Sequence, residues 1–244
     1  MTEVQADIAH PPIATREEWL SQRLALLAEE KEVTKAYDRV NARRRRLPMV
    51  KVEKPYTFMG ADGETSLLGL FDGKRQLIVH HFMFAPEWDS GCGSCTWHAN
   101  QFGDLSSLEK ADVRMVRVSR APIEKLLAYQ QEKGWPTPWY SSFGTDFNYD
   151  FMVTLDPARG STQYNYKTGE ELTKAVGPLE GSSEWPGFSV FFRLGDEVFH
   201  TYSAYGRGVE RLMDVFGLLD ITPYGRQEDF EDSPAGWPQN PTYG

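Results

Sequence analysis

Cysteine is nearly absent from this chain: 244 residues contain two, Cys92 and Cys95. That scarcity weighs first against zinc, which ordinarily takes four ligands, because neither a second C-x-x-C nor an H-x3-5-H pair exists to complete a site. Positive charge is also in short supply. Against 35 Asp and Glu stand 26 Lys and Arg, a formal charge of -9 with a pI near 5.1, which argues against a nucleic-acid surface as the main business of the molecule. Long apolar runs are missing, so no segment reads as a membrane span, and the start, MTEVQADIAHPPIATREEW, lacks a basic stretch followed by an apolar one. The expected location is the cytoplasm, where two neighbouring thiols more often serve catalysis or regulation than act as a permanent staple. Internal repeats and long low-complexity segments are absent as well.

What is present is enough apolar material, 40% hydrophobic and 13% aromatic, to build a full core, in a length that fits one domain with extensions. The chain is organised around Gln76 to Phe102. There an apolar run, QLIVHHFMF, gives way to the loop APEWDSG, then Cys92-Gly93-Ser94-Cys95, then TWHANQF. The loop breaks a strand and turns the chain into a helix. Two sulfurs at that spacing at a helix start can close a small disulfide ring, and the unpaired first-turn amides stabilise a thiolate on the first. The pattern points to a dithiol redox centre ahead of an inert thiol pair or a metal site. Cys95, Ala99 and Phe102 share a helical face, so the second sulfur should point inward while the first caps the exposed end.

Before this centre, residues 1–14 read as a leader. Thr15 and Glu18 form a capping box that opens a long helix to about Arg46. Trp19, Leu26, Val33 and Val40 recur every seven residues along it, a seam that packs either on the protein's own body or against a second copy in a homodimer. Arg43 to Arg46 suits the negative end of that helix, and Pro48 stops it. Short extended pieces with turns at Gly60 and Asp62-Gly63 follow, as far as Leu70. After the cysteines, Val113 to Val118 forms a second strand, and Pro122 opens a helix that ends at Gly134. Trp135 to Trp185 reads as an irregular aromatic insertion. Phe188–Leu194 and Glu197–Ser203 make a hairpin across Gly195-Asp196, and Val209, Leu212, Met213, Phe216 and Leu219 stripe a final helix. The tail after Thr222 carries four prolines and is expected to hold no regular structure. The expected organisation is residues 1–48 as leader and helix, 49–222 as one domain with an insertion over about 135–185, and 223–244 as tail.

The order strand, cysteine helix, strand, helix, hairpin, helix is that of the thioredoxin fold. The phrases QLIVHHFMFAPEWDSGCGSCTWHANQF, VSRAPIEKLLAYQQEKGW and GFSVFFRLGDEVFHTYSAYGRGVERL resemble the bacterial thioredoxin-like family known as domain of unknown function family 899, whose members are described as predicted dithiol-disulfide oxidoreductases. The resemblance implies an α/β thioredoxin-like fold, a central mixed sheet flanked by helices, with a long N-terminal helix and an insertion before the C-terminal hairpin. It implies Cys92 as nucleophile and Cys95 as resolving thiol. It also implies that Pro186, ahead of the FSVFF strand, stands where thioredoxins carry a cis-proline that presents backbone to an extended substrate; with Gly187 directly after it, a plain turn proline is the other reading, and Pro186, Gly187 and Trp88 are the candidate substrate-binding residues. Two departures are visible: Gly91, not Trp, precedes the first cysteine, and VHHFMF holds no buried acid, so the Cys95 proton lacks an evident acceptor.

Several residues around the motif have two readings each. His80 and His81 point to opposite faces of the central strand and read as core imidazoles before they read as thiol partners. His98 could approach the thiols from the same helix or face solvent, so His81 and His98 stand as candidate helpers. Asp89 is expected to cap the cysteine helix. Arg117 and Arg120 either lower a thiol pKa or pair on the surface. Trp88, Trp97, Trp135, Trp139 and Tyr140 either wall a groove or fill the core. The chemistry expected is thiol-disulfide exchange with no bound cofactor beyond the cysteine pair and no metal. Its partners would be a protein or small-molecule disulfide and a thiol reductant, with no nucleic acid or membrane. The rivals are a peroxiredoxin-like thiol peroxidase, which wants Thr or Ser where Asp89 stands, and a non-catalytic thioredoxin-fold binding module.

Overall fold

The computed structural model describes residues 8–240. In chain order the elements are α1 (Arg16–Arg44), β1 (Val50–Lys51), β2 (Thr57–Gly60), β3 (Gly63–Ser66), β4 (Gln76–His81), α2 (Gly93–Ala99), α3 (Ser106–Lys110), β5 (Val113–Ser119), α4 (Ile123–Lys133), β6 (Trp139–Ser141), α5 (Phe147–Asp150), β7 (Thr154–Leu155), α6 (Gly169–Val176), β8 (Ser183–Glu184), β9 (Gly187–Leu194), β10 (Glu197–Tyr205) and α7 (Asp214–Leu219). The chain divides into two compact units: Leu47–Glu210, and a smaller one joining the chain up to Arg46 with the segment from Arg211 onward.

The larger unit is built on a mixed sheet of order β1-β10-β9-β4-β5-β6-β2-β3. β4 pairs parallel with β5 and antiparallel with β9, and β9 turns back through Gly195 into β10. A parallel β4–α2–β5 crossover joined to an antiparallel β9–β10 hairpin is the thioredoxin-like arrangement. β4 is apolar on both sides because both of its faces are covered. Leu77 and Val79 pack with Val116, Val118, Phe147 and Phe191, whereas Ile78 on the opposite face joins Phe188, Met115 and Phe102. Each such fully buried aliphatic side chain contributes about 1.5–3 kcal/mol. At the sheet's far edge, β2 and β3 form the hairpin expected around Gly60 and Gly63.

The expected irregular stretch 135–185 is more ordered than its composition suggests. Trp139–Ser141 joins the main sheet parallel to β5, and β7 and β8 form a separate two-stranded ladder. Residues read as loop include α6, which starts at a capping box of Thr168 and Glu171 and buries only Leu172. Leu172, Ala175 and Val176 share one face, but eight residues are shorter than the window over which a helical period is read. The single final helix is also corrected. Gly206–Leu212 is a 3-10 turn and α7 begins at Asp214, and Leu212 is exposed while Val209 and Phe216 are buried, so the stripe does not lie on one continuous face.

In the smaller unit α1 begins at the predicted box, with Thr15 accepting from the Glu18 amide and Glu18 reaching back. None of its residues is buried. Trp19, Leu26, Val33 and Val40 are 48%, 51%, 66% and 48% exposed. Among the described residues no helix is long and apolar enough to cross a membrane.

Candidate dithiol site

The site begins where β4 ends. The chain runs on through buried Phe82 and Phe84, pinned by the Ser119 hydroxyl donating to the Phe82 carbonyl at 2.6 Å and the Ala121 amide to the Phe84 carbonyl at 2.8 Å. The following loop folds back on itself. Lys125 Nζ donates to the carbonyls of Pro86 and Trp88 at 2.9 Å each, and the Cys92 amide returns to the Met83 carbonyl at 3.0 Å. Gly91 is needed for this return: a Cβ there would lie 2.7 Å from Phe82 Cε1 and 3.1 Å from Tyr129 Cε1. That contact is the physical reason no tryptophan can precede the first cysteine here.

Cys92 is the N-cap of α2 and half-buried, and Cys95 is buried one turn into the helix. The two thiols are free and lie 4.2 Å apart. Cys95 packs with Ala99, Phe82, Phe84, Leu126 and Trp139, and Cys92 rests on the same cluster. Asp89 does not cap α2: it is exposed, and no side chain closes a capping hydrogen bond on the helix. The amides of Ser94 and Cys95 are left to act on the Cys92 sulfur.

The two thiols are driven apart electrostatically. The neighbouring Cys95 thiol, with the amides of Cys95 and Ser94 and the Ser94 hydroxyl, holds the Cys92 pKa down to about 6 against the opposing effect of burial. Cys95, beside the Cys92 sulfur and buried in apolar surroundings, is pushed well above the ordinary thiol range. One sulfur is a thiolate near neutral pH and the other holds its proton. The pair is braced from α4. Thr96 donates its hydroxyl to the Cys92 carbonyl at 2.8 Å, which leaves the Tyr129 hydroxyl to donate to Thr96 Oγ1 at 2.9 Å.

The remaining candidates are dispersed. His98 is buried, so its solvent-facing reading is corrected; its ring lies 5.5 Å from that of His80 and 5.4 Å from that of Phe188. His80 is stacked on Phe188 at 4.4 Å, and burial together with His98 and Arg117 holds its pKa well below the usual histidine range. His81 is on the other face of β4 beside Phe147 and Phe151. There its Nε2 meets the Ser189 hydroxyl at 2.7 Å, and burial lowers its pKa to about 3. Both are neutral core imidazoles.

Pro186 is not a cis-proline, since the described residues include no cis peptide. Its carbonyl accepts the Tyr164 hydroxyl at 2.8 Å, so that oxygen already has a partner. Gly187 is buried at the start of β9, where a Cβ would press on the Tyr205 ring at 2.6 Å. Trp88, Trp135 and Trp139 pack on the Cys95 cluster, Tyr140 packs on the core of the opposite face, and Trp97 stands 43% exposed on α2.

Arg120 finds the glutamate partner expected of it, though not on the surface, whereas Arg117 does not. Arg120 pairs with the buried carboxylate of Glu184 at 2.7 Å. Arg117 is buried with its guanidinium 4.4 Å from the Trp135 ring centre, and its Nε and Nη1 have no hydrogen-bond partner. Thr96, Tyr129 and Lys125 were not legible as site residues, because their roles come from contacts between helices distant in sequence.

Comparison with solved structures finds distant likenesses. Peroxidoxin BcpB from Mycobacterium tuberculosis is 14% identical, with 68% of this chain and 92% of that one covered and a TM-score of 0.44. A cysteine-to-serine mutant of Xanthomonas campestris Peroxiredoxin Q is 14% identical over 67% of this chain and 89% of its own, TM-score 0.42. A similar mutant of Xylella fastidiosa PrxQ is 12% identical over 64% and 85%, TM-score 0.40. At these identities and scores the likenesses carry no weight for the chemistry. No curated protein matches the chain. Residues 8–243 match the model of the family described as "Bacterial protein of unknown function (DUF899)", and the chain belongs to that family.

Proposed function

We propose that the protein is a thiol-disulfide oxidoreductase working through Cys92 and Cys95. The observation that carries this reading is the split between the thiols: a half-buried Cys92 held down to about pKa 6 beside a buried, protonated Cys95. The Cys92 thiolate attacks one sulfur of a substrate disulfide, forming a mixed disulfide and expelling the other sulfur as a thiolate. Cys95 then loses its proton to the departing thiolate and attacks Cys92. This closes the Cys92–Cys95 disulfide and releases the second substrate thiol. The substrate gains two electrons and the protein loses two, and an external dithiol restores the pair. In a reducing compartment the dithiol is the resting form.

The test is turnover of an insulin-type disulfide with a dithiol reductant. Wild-type protein should accelerate reduction, Cys92→Ser should abolish it, and Cys95→Ser should stall as a mixed disulfide visible by mass. Peroxide consumption without disulfide turnover would instead favour a thiol peroxidase, and neither activity would leave a thioredoxin-fold binding module.

A further inference from the structure

A cleft of about 270 Å³ opens between the β2–β3 hairpin and the start of α4, walled by Thr57, Met59, Glu64, Ile123, Glu124 and Phe143. It is smaller than the ~300–1,000 Å³ of pockets that enclose a whole drug-sized molecule, and its size suits one long side chain. The turn at Ala121-Pro122 separates it from the dithiol loop. On one side the Ala121 amide donates to the Phe84 carbonyl at 2.8 Å, and on the other the Ala121 carbonyl accepts the Ser141 hydroxyl at 2.6 Å. Ile123 walls the cleft and packs on the same buried cluster as Cys92, so cleft and nucleophile flank one rigid corner.

The lining has a definite chemical character. Met59 and Phe143 present apolar surface, 41% and 59% exposed. Glu64 and Glu124 are its only charged residues, and no salt bridge among the described residues involves either. Glu124 suits the first turn of α4, whereas Glu64 stands on β3 opposite Met59 with no such reason. The adjacent base, Lys125, is turned away to the carbonyls of Pro86 and Trp88. Apolar walls for an aliphatic stem, an open aromatic ring for a cation and two unpaired carboxylates complement a lysine or arginine.

Resting on the exchange chemistry above, we propose that this cleft receives a basic side chain of a polypeptide disulfide substrate, so that the enzyme prefers disulfides in basic extended segments to small-molecule disulfides. The probe is a series of disulfide-linked peptides in which one Arg, Gln or Glu is moved stepwise away from the cysteine. At low salt, one register should show a KM about five- to tenfold lower for Arg than for Glu at similar kcat. The preference should shrink in high salt and fall to about one in the Glu64→Gln, Glu124→Gln double variant. Anisotropy on Cys92→Ser protein, with the same peptides carrying a dye, should show the same order of affinities without any chemistry. Turnover of every peptide with no Arg preference, or a preference unchanged in the double variant, would overturn the cleft assignment and leave exchange standing. Loss of turnover on all peptides while Cys92→Ser still selects Arg would sink exchange and keep the cleft.

Discussion

Removing the Cys95 sulfur should move the Cys92 titration more than any other single change. The largest influence holding the Cys92 pKa down to about 6 is the neighbouring Cys95 thiol, with the amides of Cys95 and Ser94 behind it. Cys95→Ala removes the thiol donor and keeps the amides. A hydrogen bond to a charged group contributes about 1.5–3 kcal/mol, and one pKa unit corresponds to about 1.36 kcal/mol, so the Cys92 midpoint should rise by about one to two units. Near pH 7 the thiolate share of Cys92 would then fall from ~90% to between about half and a tenth, and iodoacetamide alkylation would slow about two- to tenfold. Thiolate absorbance reads this cleanly, because the chain holds only these two cysteines: the wild type should show one step near pH 6 and a second well above the ordinary thiol range. A wild-type first step near the unperturbed ~8.5, or a midpoint unmoved in Cys95→Ala, would refute the reasoning.

Other consequences follow from the packing. Gly91→Ala pushes a methyl against the buried Phe82 and Tyr129 rings and should cost about 1–3 kcal/mol in a denaturant melt; an unchanged midpoint would mean the loop has room that the geometry denies it. Tyr129→Phe removes one donor from the Thr96 brace and should lower stability by about 0.5–1.5 kcal/mol, with a normal melt counting against the brace. His80 and His81 are buried neutral with lowered pKa values, so the unfolded chain binds more protons below about pH 6.5. Stability is therefore full above that pH and lost as pH falls, with a slope approaching about 2.7 kcal/mol per pH unit from the pair. Urea melts against pH should show that slope; about half of it would show that one of the two is charged in the fold, and a flat profile that both are. Arg117→Met replaces a buried cation stacked on Trp135 with no hydrogen bond at Nε or Nη1, and should be neutral to stabilising; a loss above about 3 kcal/mol would reveal an anionic partner.

The thioredoxin-like core was legible because its signals are local. The apolar run Leu77–Val79, the valine-rich VRMVRV of Val113–Val118, the Pro122 and Gly134 ends of α4 and the Gly195 turn each follow from a few adjacent residues. The inward Cys95 and half-buried Cys92 followed from helical periodicity alone. Asp89 failed as a cap because the backbone return from Cys92 to Met83 makes the cysteine itself the first residue of the turn, a long-range constraint that capping preferences do not contain. The partner of the Pro186 carbonyl, the Tyr164 hydroxyl, comes from a stretch read as loop, a contact that the local sequence around Pro186 does not carry. Burial of His98 and Arg117 depended on Phe188 and Trp135, brought in from elsewhere in the chain.

The central claim is that Cys92 and Cys95 act as one two-electron couple. Equilibration across a glutathione or dithiothreitol series, followed by alkylation and intact mass, should show both cysteines losing reactivity together along a single two-electron curve, with Cys92→Ser leaving Cys95 unmodified at neutral pH. Cysteines that remain alkylatable under strong oxidant, or that oxidise separately, would contradict the account.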